Sequence, residues 1–167
     1  MIEAVVFYIL AAVLVGMSLL VITRTNPIAS ALAMVGAFGA LAALYAQLSA
    51  TFLAILQILV YAGGIMVLMI FVIMLLNLNP RDLEPMKARG LTVFLALAGV
   101  LGIVFGSVFL AVFPQGQWAW AALPEGFGNI FSVGVKIFSQ YLFPFEMLSF
   151  VLLTAVVGAL VLSKRKL

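Results

Sequence analysis

The 167-residue chain contains no cysteine and no histidine. Thiol nucleophiles, disulfides, imidazole acid–base catalysis and the usual zinc or iron–sulfur donor sets are therefore closed to it. Charge is scarce as well. Eight Lys+Arg and five Asp+Glu make up 8% of the chain, against about a quarter in an ordinary soluble domain. So few charges cannot cover a globular surface, and a net +3 is too small and too scattered for a nucleic-acid footprint. What the chain has instead is apolar bulk, 67% of its residues. That composition belongs to an integral membrane protein whose solvent is the lipid bilayer.

A helix needs roughly 20 mostly apolar residues to cross a bilayer. Five stretches qualify, at about 4–22, 28–48, 52–76, 91–113 and 145–162. The expected fold is therefore all-α: one membrane domain over 1–167, with five transmembrane helices and a connecting segment at 114–144. Unbroken apolar runs exclude a β-barrel, whose strands alternate over about ten residues. The first stretch reads as a span and not as a cleavable signal, because it opens with Glu3 and runs long. Asn26-Pro27 places a capping side chain before a proline suited to the first helical position. Asn77, Asn79, Pro80 and Pro85 end the third span and open a charged loop. Helices two and three are joined only by Leu48–Thr51, which makes them antiparallel neighbours. In the long connection, Trp118, Trp120 and Tyr141 suit the headgroup level. Ile130, Val133, Ile137 and Tyr141 follow helical spacing there, predicting a short helix lying along the interface.

Arg24, Arg81, Lys87, Arg89, Lys164, Arg165 and Lys166 fall on one side of a five-span topology, and Lys136 on the other. Basic residues mark the cytoplasmic side. The N-terminus and the 114–144 loop are accordingly expected outside, and the C-terminus in the cytoplasm.

Ionisable groups inside a membrane usually mark proton or ion paths, and this chain has almost none. Glu3 and Glu146 stand at the expected outer ends of helices one and five, where a helix dipole favours a carboxylate. For Glu146 the alternative is a carboxylate that meets a partner or a water chain. Ser107 and Thr154 are expected to bond a carbonyl one turn back. Gln57 and Tyr61, four residues apart, share a helix face. They lead into Gly63-Gly64, a glycine pair inside a long span. Paired glycines lower helix propensity by about 1 kcal/mol each relative to Ala. They permit a π-bulge, which turns the following residues by about 100°. They equally permit close approach of a neighbouring helix. Met66, Met69 and Met74 beyond them are unbranched and can repack as faces change. Small residues recur elsewhere at helical spacing: Ala29, Ala33 and Ala37, Gly36 and Ala40, Gly99, Gly102 and Gly106, and Ala155 and Ala159. Such a chain suits a subunit of a larger assembly better than a stand-alone transporter.

Tyr61-Ala62-Gly63-Gly64-Ile65-Met66-Val67-Leu68, continued by Phe71-Val72-Ile73-Met74-Leu75-Leu76-Asn77, closely resembles the third-helix signature of the subunit J family of NADH-quinone oxidoreductase. This is the bacterial complex I counterpart of mitochondrial NADH dehydrogenase chain 6. Thr25-Asn26-Pro27, and Tyr141 followed by Glu146, resemble the same family. The resemblance implies a multi-pass subunit of the bacterial inner (plasma) membrane. It would be a non-redox part of the membrane arm of a proton-translocating NADH:quinone oxidoreductase, with no catalytic centre and no cofactor or metal of its own. NADH, FMN, iron–sulfur clusters and quinone would belong to other subunits, and its partners would be membrane subunits at the quinone-chamber end. The resemblance further implies a π-bulge in helix three at Tyr61, Gly63, Gly64 and Val67, whose conversion to α form couples quinone reduction to proton pumping. Relatives usually have Ala at the position of Gly64, and some have a carboxylate at the position of Gln57. An amide there cannot release a proton. Gln57 and Glu146 stand as proton-path or interface residues. The alternatives are the equivalent subunit of a multisubunit cation/proton antiporter or membrane-bound hydrogenase-type complex, and a self-assembling small membrane protein.

Overall fold

In a computed structural model the described residues are 2–76, 88–112 and 125–164. Asn77, Asn79, Pro80, Arg81, Pro85, Lys87, Trp118, Trp120, Arg165 and Lys166 lie outside them. Helices and short turns account for all of the described residues. The elements are α1 (Ile2–Thr23), α2 (Pro27–Gln47), α3 (Thr51–Leu56), a π-helical segment (Gln57–Ile65), α4 (Met66–Leu75), α5 (Ala88–Val112), α6 (Ile130–Gln140) and α7 (Leu142–Ser163). α3, the π segment and α4 run on as one 25-residue span. That span, α1, α2 and α7 are the four described helices long and apolar enough to cross a membrane. Ala96–Val108 within α5, and α6, form shorter apolar stretches. The described residues fall into two compact units, one within Met1–Pro124 and one within Glu125–Leu167.

In the first unit α2 is central, packing against α1 and against the span of α3, the π segment and α4. Its start follows the sequence logic. The Asn26 side chain accepts from the N–H groups of Ile28 and Ala29, at 3.0 and 3.4 Å, and Pro27 opens the helix where no N–H is needed. Its end is a Schellman turn. The Ser49 N–H bonds to the Ala46 carbonyl at 3.1 Å and the Ala50 N–H to that of Tyr45 at 2.9 Å. Ser49 is held at φ 60°, a left-handed conformation usually left to glycine. The reversal is tight enough to set α2 and α3 side by side.

Apolar side chains gain little by leaving lipid for protein, so helix association in a bilayer depends on close packing and interhelical hydrogen bonds. Both are present. The buried apolar residues include Ala31, Ala37, Ala40, Ala42 and Ala54, small enough to let backbones approach. A side chain on Gly36 would come within 3.2 Å of the Met17 sulfur on α1. Ser30 Oγ donates to the Val21 carbonyl, and Gln47 Nε2 to that of Glu3. These two bonds staple the ends of the antiparallel α1–α2 pair. By contrast, nothing described lies within 4 Å of a side chain built at Gly99, Gly102 or Gly106. Ala155 and Ala159 are exposed.

In the second unit Asn129 caps α6 through the Phe131 N–H, and Ser132 Oγ donates to the carbonyls of Gly126 and Asn129. A single residue, Tyr141, separates α6 from α7. Its N–H closes α6 on Lys136 and Ile137, and its carbonyl takes the Phe145 N–H at 3.1 Å. α7 begins three residues before the position expected from sequence, with Pro144 inside its first turn. Proline is tolerated there because first-turn N–H groups have no intrahelical partner.

Candidate functional site

Gln57–Ile65 close their backbone hydrogen bonds in the wide i→i+5 manner. The segment ends where the Met66 N–H reaches the Tyr61 carbonyl, five residues back. Just before it, the Gln57 N–H still bonds to Leu53 and Ala54 in the tighter pattern. A nine-residue π segment is long for a form that mostly occurs as a single widened turn.

The consequence lies in which residues face α2. Gln57 is 6% exposed and Met66 0%, and they flank the segment nine residues apart. In an α-helix, at about 100° per residue, nine residues carry roughly 900° and leave the two on opposite sides. Closure at i→i+5 gives roughly 4.4 residues per turn, so nine residues make about two whole turns. The π segment is what allows one helix to bury Gln57 and Met66 together. The inward stripe runs through Ala54, Gln57, Ala62, Met66 and Ile70. Its steps are long through the widened turns.

Tyr61, Gly63, Gly64 and Val67 are exposed on the remainder of the surface. Tyr61, 47% exposed, touches Phe38 of α2 edge-to-face, with ring centroids 5.7 Å apart. Gln57 and Tyr61 thus do not share a fully buried face. The amide is inward, and the ring sits at the margin of the α2 contact. The glycines differ. A Cβ at Gly63 would meet the Ile58 carbonyl oxygen at 3.3 Å, whereas one at Gly64 would meet that of Leu59 at an ordinary 3.9 Å. No described atom of another helix comes within 4 Å of either position. Between the two sequence readings, close neighbour and widened turn, the described residues of the first unit supply only the second.

The buried group with chemical capacity is the Gln57 amide. It can donate and accept but cannot ionise. Ser107 and Thr154 bond to the carbonyls of Val104 and Phe150, as expected for groups without a further role.

Glu146 requires a correction. Because α7 starts at Leu142, this carboxylate lies beyond the first turn, where the helix dipole has largely fallen away. It is exposed in the second unit, and its backbone carbonyl accepts from Ser149 Oγ. Glu3 does sit in the first turn of α1. Sequence reading missed the pairing of Met66 with Gln57, although their spacing combined with the glycine pair was a usable signal. It also missed the Gln47–Glu3 tie, whose Gln47 Oε1 is buried without a partner among the described residues. No sequence pattern announces that bond.

Comparison with known proteins gives this geometry a context. Residues 17–162 match the family model described as NADH-ubiquinone/plastoquinone oxidoreductase chain 6. A relative in a Nostoc species, named NAD(P)H-quinone oxidoreductase chain 6, is 36% identical over 99% of this chain and 81% of its own length. The NADH-quinone oxidoreductase subunit J of Pseudomonas aeruginosa is 35% identical over 92% of each chain. That of Rhodobacter capsulatus is 33% identical over 95% of this chain and 80% of its own. With the match reaching all four long helices, the π segment included, the chain belongs to the NADH-ubiquinone/plastoquinone oxidoreductase chain 6 family.

Proposed function

We propose that this chain is a non-redox membrane subunit of a proton-translocating NADH:quinone oxidoreductase, and that its π segment is a two-state coupling element. Family membership over nearly the whole chain supports the subunit role. The named relatives favour it over the antiporter or hydrogenase-type alternative. The chain's own partners are then other subunits of that complex, with the π segment facing those at the quinone-chamber end. Having neither Cys nor His, the chain lacks donors for an iron–sulfur cluster, so NADH, flavin, clusters and quinone are handled by those partners.

In this reading α5 also crosses the membrane, as the fourth of five spans. The basic residues face the cytoplasm, the N-terminus is outside, and the membrane is the bacterial inner membrane. The coupling role rests on one observation, the shared burial of Gln57 and Met66 across the π segment. Return to α geometry would turn one of them off the α2 face. If the C-terminal half turns, Met66 leaves and Met69 and Met74 repack, which unbranched side chains allow. If the N-terminal half turns, the Gln57 amide is carried outward to where water or a partner's polar group can meet it. Either movement changes a polar path without a redox or ionisable group in this chain.

A tagged chain purified in mild detergent tests the subunit role. Peripheral flavin and iron–sulfur subunits should co-purify, and deleting the chain should abolish quinone reductase activity by blocking assembly of the membrane arm. A complex that assembles without this chain and pumps at the normal rate would defeat the proposal.

A further inference from the structure

α6 presents an apolar face that its own unit leaves largely exposed. Ile130, Phe131, Gly134, Val135 and Phe138 follow one another at helical spacing and line a shallow groove of about 460 Å³. Phe131 is 77% exposed, and Phe138 and Val135 are also exposed. This is not the face expected from sequence, since Val133 and Ile137 are instead half-buried. On the side opposite the groove stand Lys136 and Gln140, both exposed.

What covers this face follows from the chain's own geometry. α7 is 22 residues long, apolar and without buried residues. At 1.5 Å per residue it measures about 33 Å, close to the roughly 30 Å hydrocarbon thickness of a bilayer. Crossing the membrane therefore uses all of α7, and its first residue, Leu142, stands at a boundary. α6 is joined to it through Tyr141 alone. The last turn of α6 is folded against the early turns of α7 by the Phe138–Phe145 ring contact, with centroids 5.1 Å apart. The C-terminal turn of α6 is thus held near that boundary. Tyr141 suits that level, and Lys136 can direct its ammonium to the headgroups while its stem stays apolar.

We propose that the Phe131–Gly134–Val135–Phe138 face of α6 is a lipid-binding surface that seats phospholipid acyl chains at one boundary of the bilayer. The groove is floored by Gly134, and a side chain built there meets nothing within 4 Å. An acyl chain can lie along it between the two phenylalanine rings. The face serves as an in-plane anchor for the start of α7, independent of quinone chemistry.

The test is site-specific photocrosslinking in native membranes. A benzophenone amino acid replaces Phe131, Val135, Phe138 or Lys136 in turn within the assembled complex. After illumination the complex is purified and its adducts are identified by mass spectrometry. Phospholipid adducts are expected at the first three positions and should be weaker at Lys136. Gly134→Leu, whose Cβ meets no described atom within 4 Å and whose side chain occupies the groove, should reduce the adducts at Phe131 and Phe138. Three exposed probe sites keep the result decisive if one variant does not assemble. Adducts to another polypeptide at these positions would overturn the proposal in favour of a subunit contact. Absence of lipid adducts, or an equal yield at Lys136, would overturn it as well.

Discussion

Gly63→Ala set beside Gly64→Ala isolates the π segment. A methyl group at Gly63 meets the Ile58 carbonyl oxygen at 3.3 Å, so the widened turn must give by a few tenths of an ångström. Backbone adjustment of that size costs about 0.5–1 kcal/mol. The intrinsic gain of Ala over Gly, about 1 kcal/mol, applies to both helical forms and drops out of their ratio. What remains disfavours the π form by about 0.5–1 kcal/mol, or about two- to fivefold in the ratio of forms. At Gly64 the contact is 3.9 Å, and the ratio should not move. Gly63→Val, with a stiff β-branched side chain, should shift it further. The assay is proton pumping per quinone turnover by the reconstituted complex. Electron transfer from NADH to a hydrophilic acceptor serves as the control and should be unchanged. The expected order of lost coupling is Gly63→Val, then Gly63→Ala, with Gly64→Ala like the parent. Equal effects of the two alanine variants would sink the idea that the Ile58 contact sets the ratio. So would a structure of Gly63→Val that keeps Gln57 and Met66 both buried while coupling is lost.

Other parts of the molecule carry expectations of their own. Gln57→Leu replaces the amide of a residue only 6% exposed with an apolar group of similar size, and should change the stability of the folded chain by no more than about 1 kcal/mol. In the proposed mechanism it also lowers coupled pumping. A melting temperature that falls further than that would show that the amide is satisfied in the complex, and pumping that stays normal would remove Gln57 from the coupling path. Ser49→Gly relieves a left-handed serine in the α2–α3 reversal and should raise stability by about 1 kcal/mol. A thermal-shift measurement on the detergent-solubilised complex would reveal a drop if Ser49 had a stabilising role beyond the turn. For orientation, Lys136→Cys should react with an impermeant thiol reagent added outside, and Lys164→Cys should not. The reverse labelling would invert the proposed topology.

Hydropathy, span length and the absence of Cys and His need no neighbours to be read, so the amino-acid order alone establishes a helical membrane chain without cysteine or histidine ligands. The local punctuation at Asn26-Pro27 and at the α2–α3 turn was legible for a similar reason, since capping and chain reversal depend on a few adjacent residues. The glycine pair marked where the third span could widen. Which faces turn inward was settled by packing. A helix that is apolar all round carries no periodic signal for its buried side, so the joint burial of Gln57 and Met66 appears only once α2 is packed against the span. The same holds for α6, where two apolar stripes were available and contact within its unit left the Phe131–Phe138 stripe exposed. The place of Glu146 was fixed by hydrogen bonding. Pro144 could begin a helix or sit within its first turn, and the Phe145 N–H bonding back to the Tyr141 carbonyl placed it within.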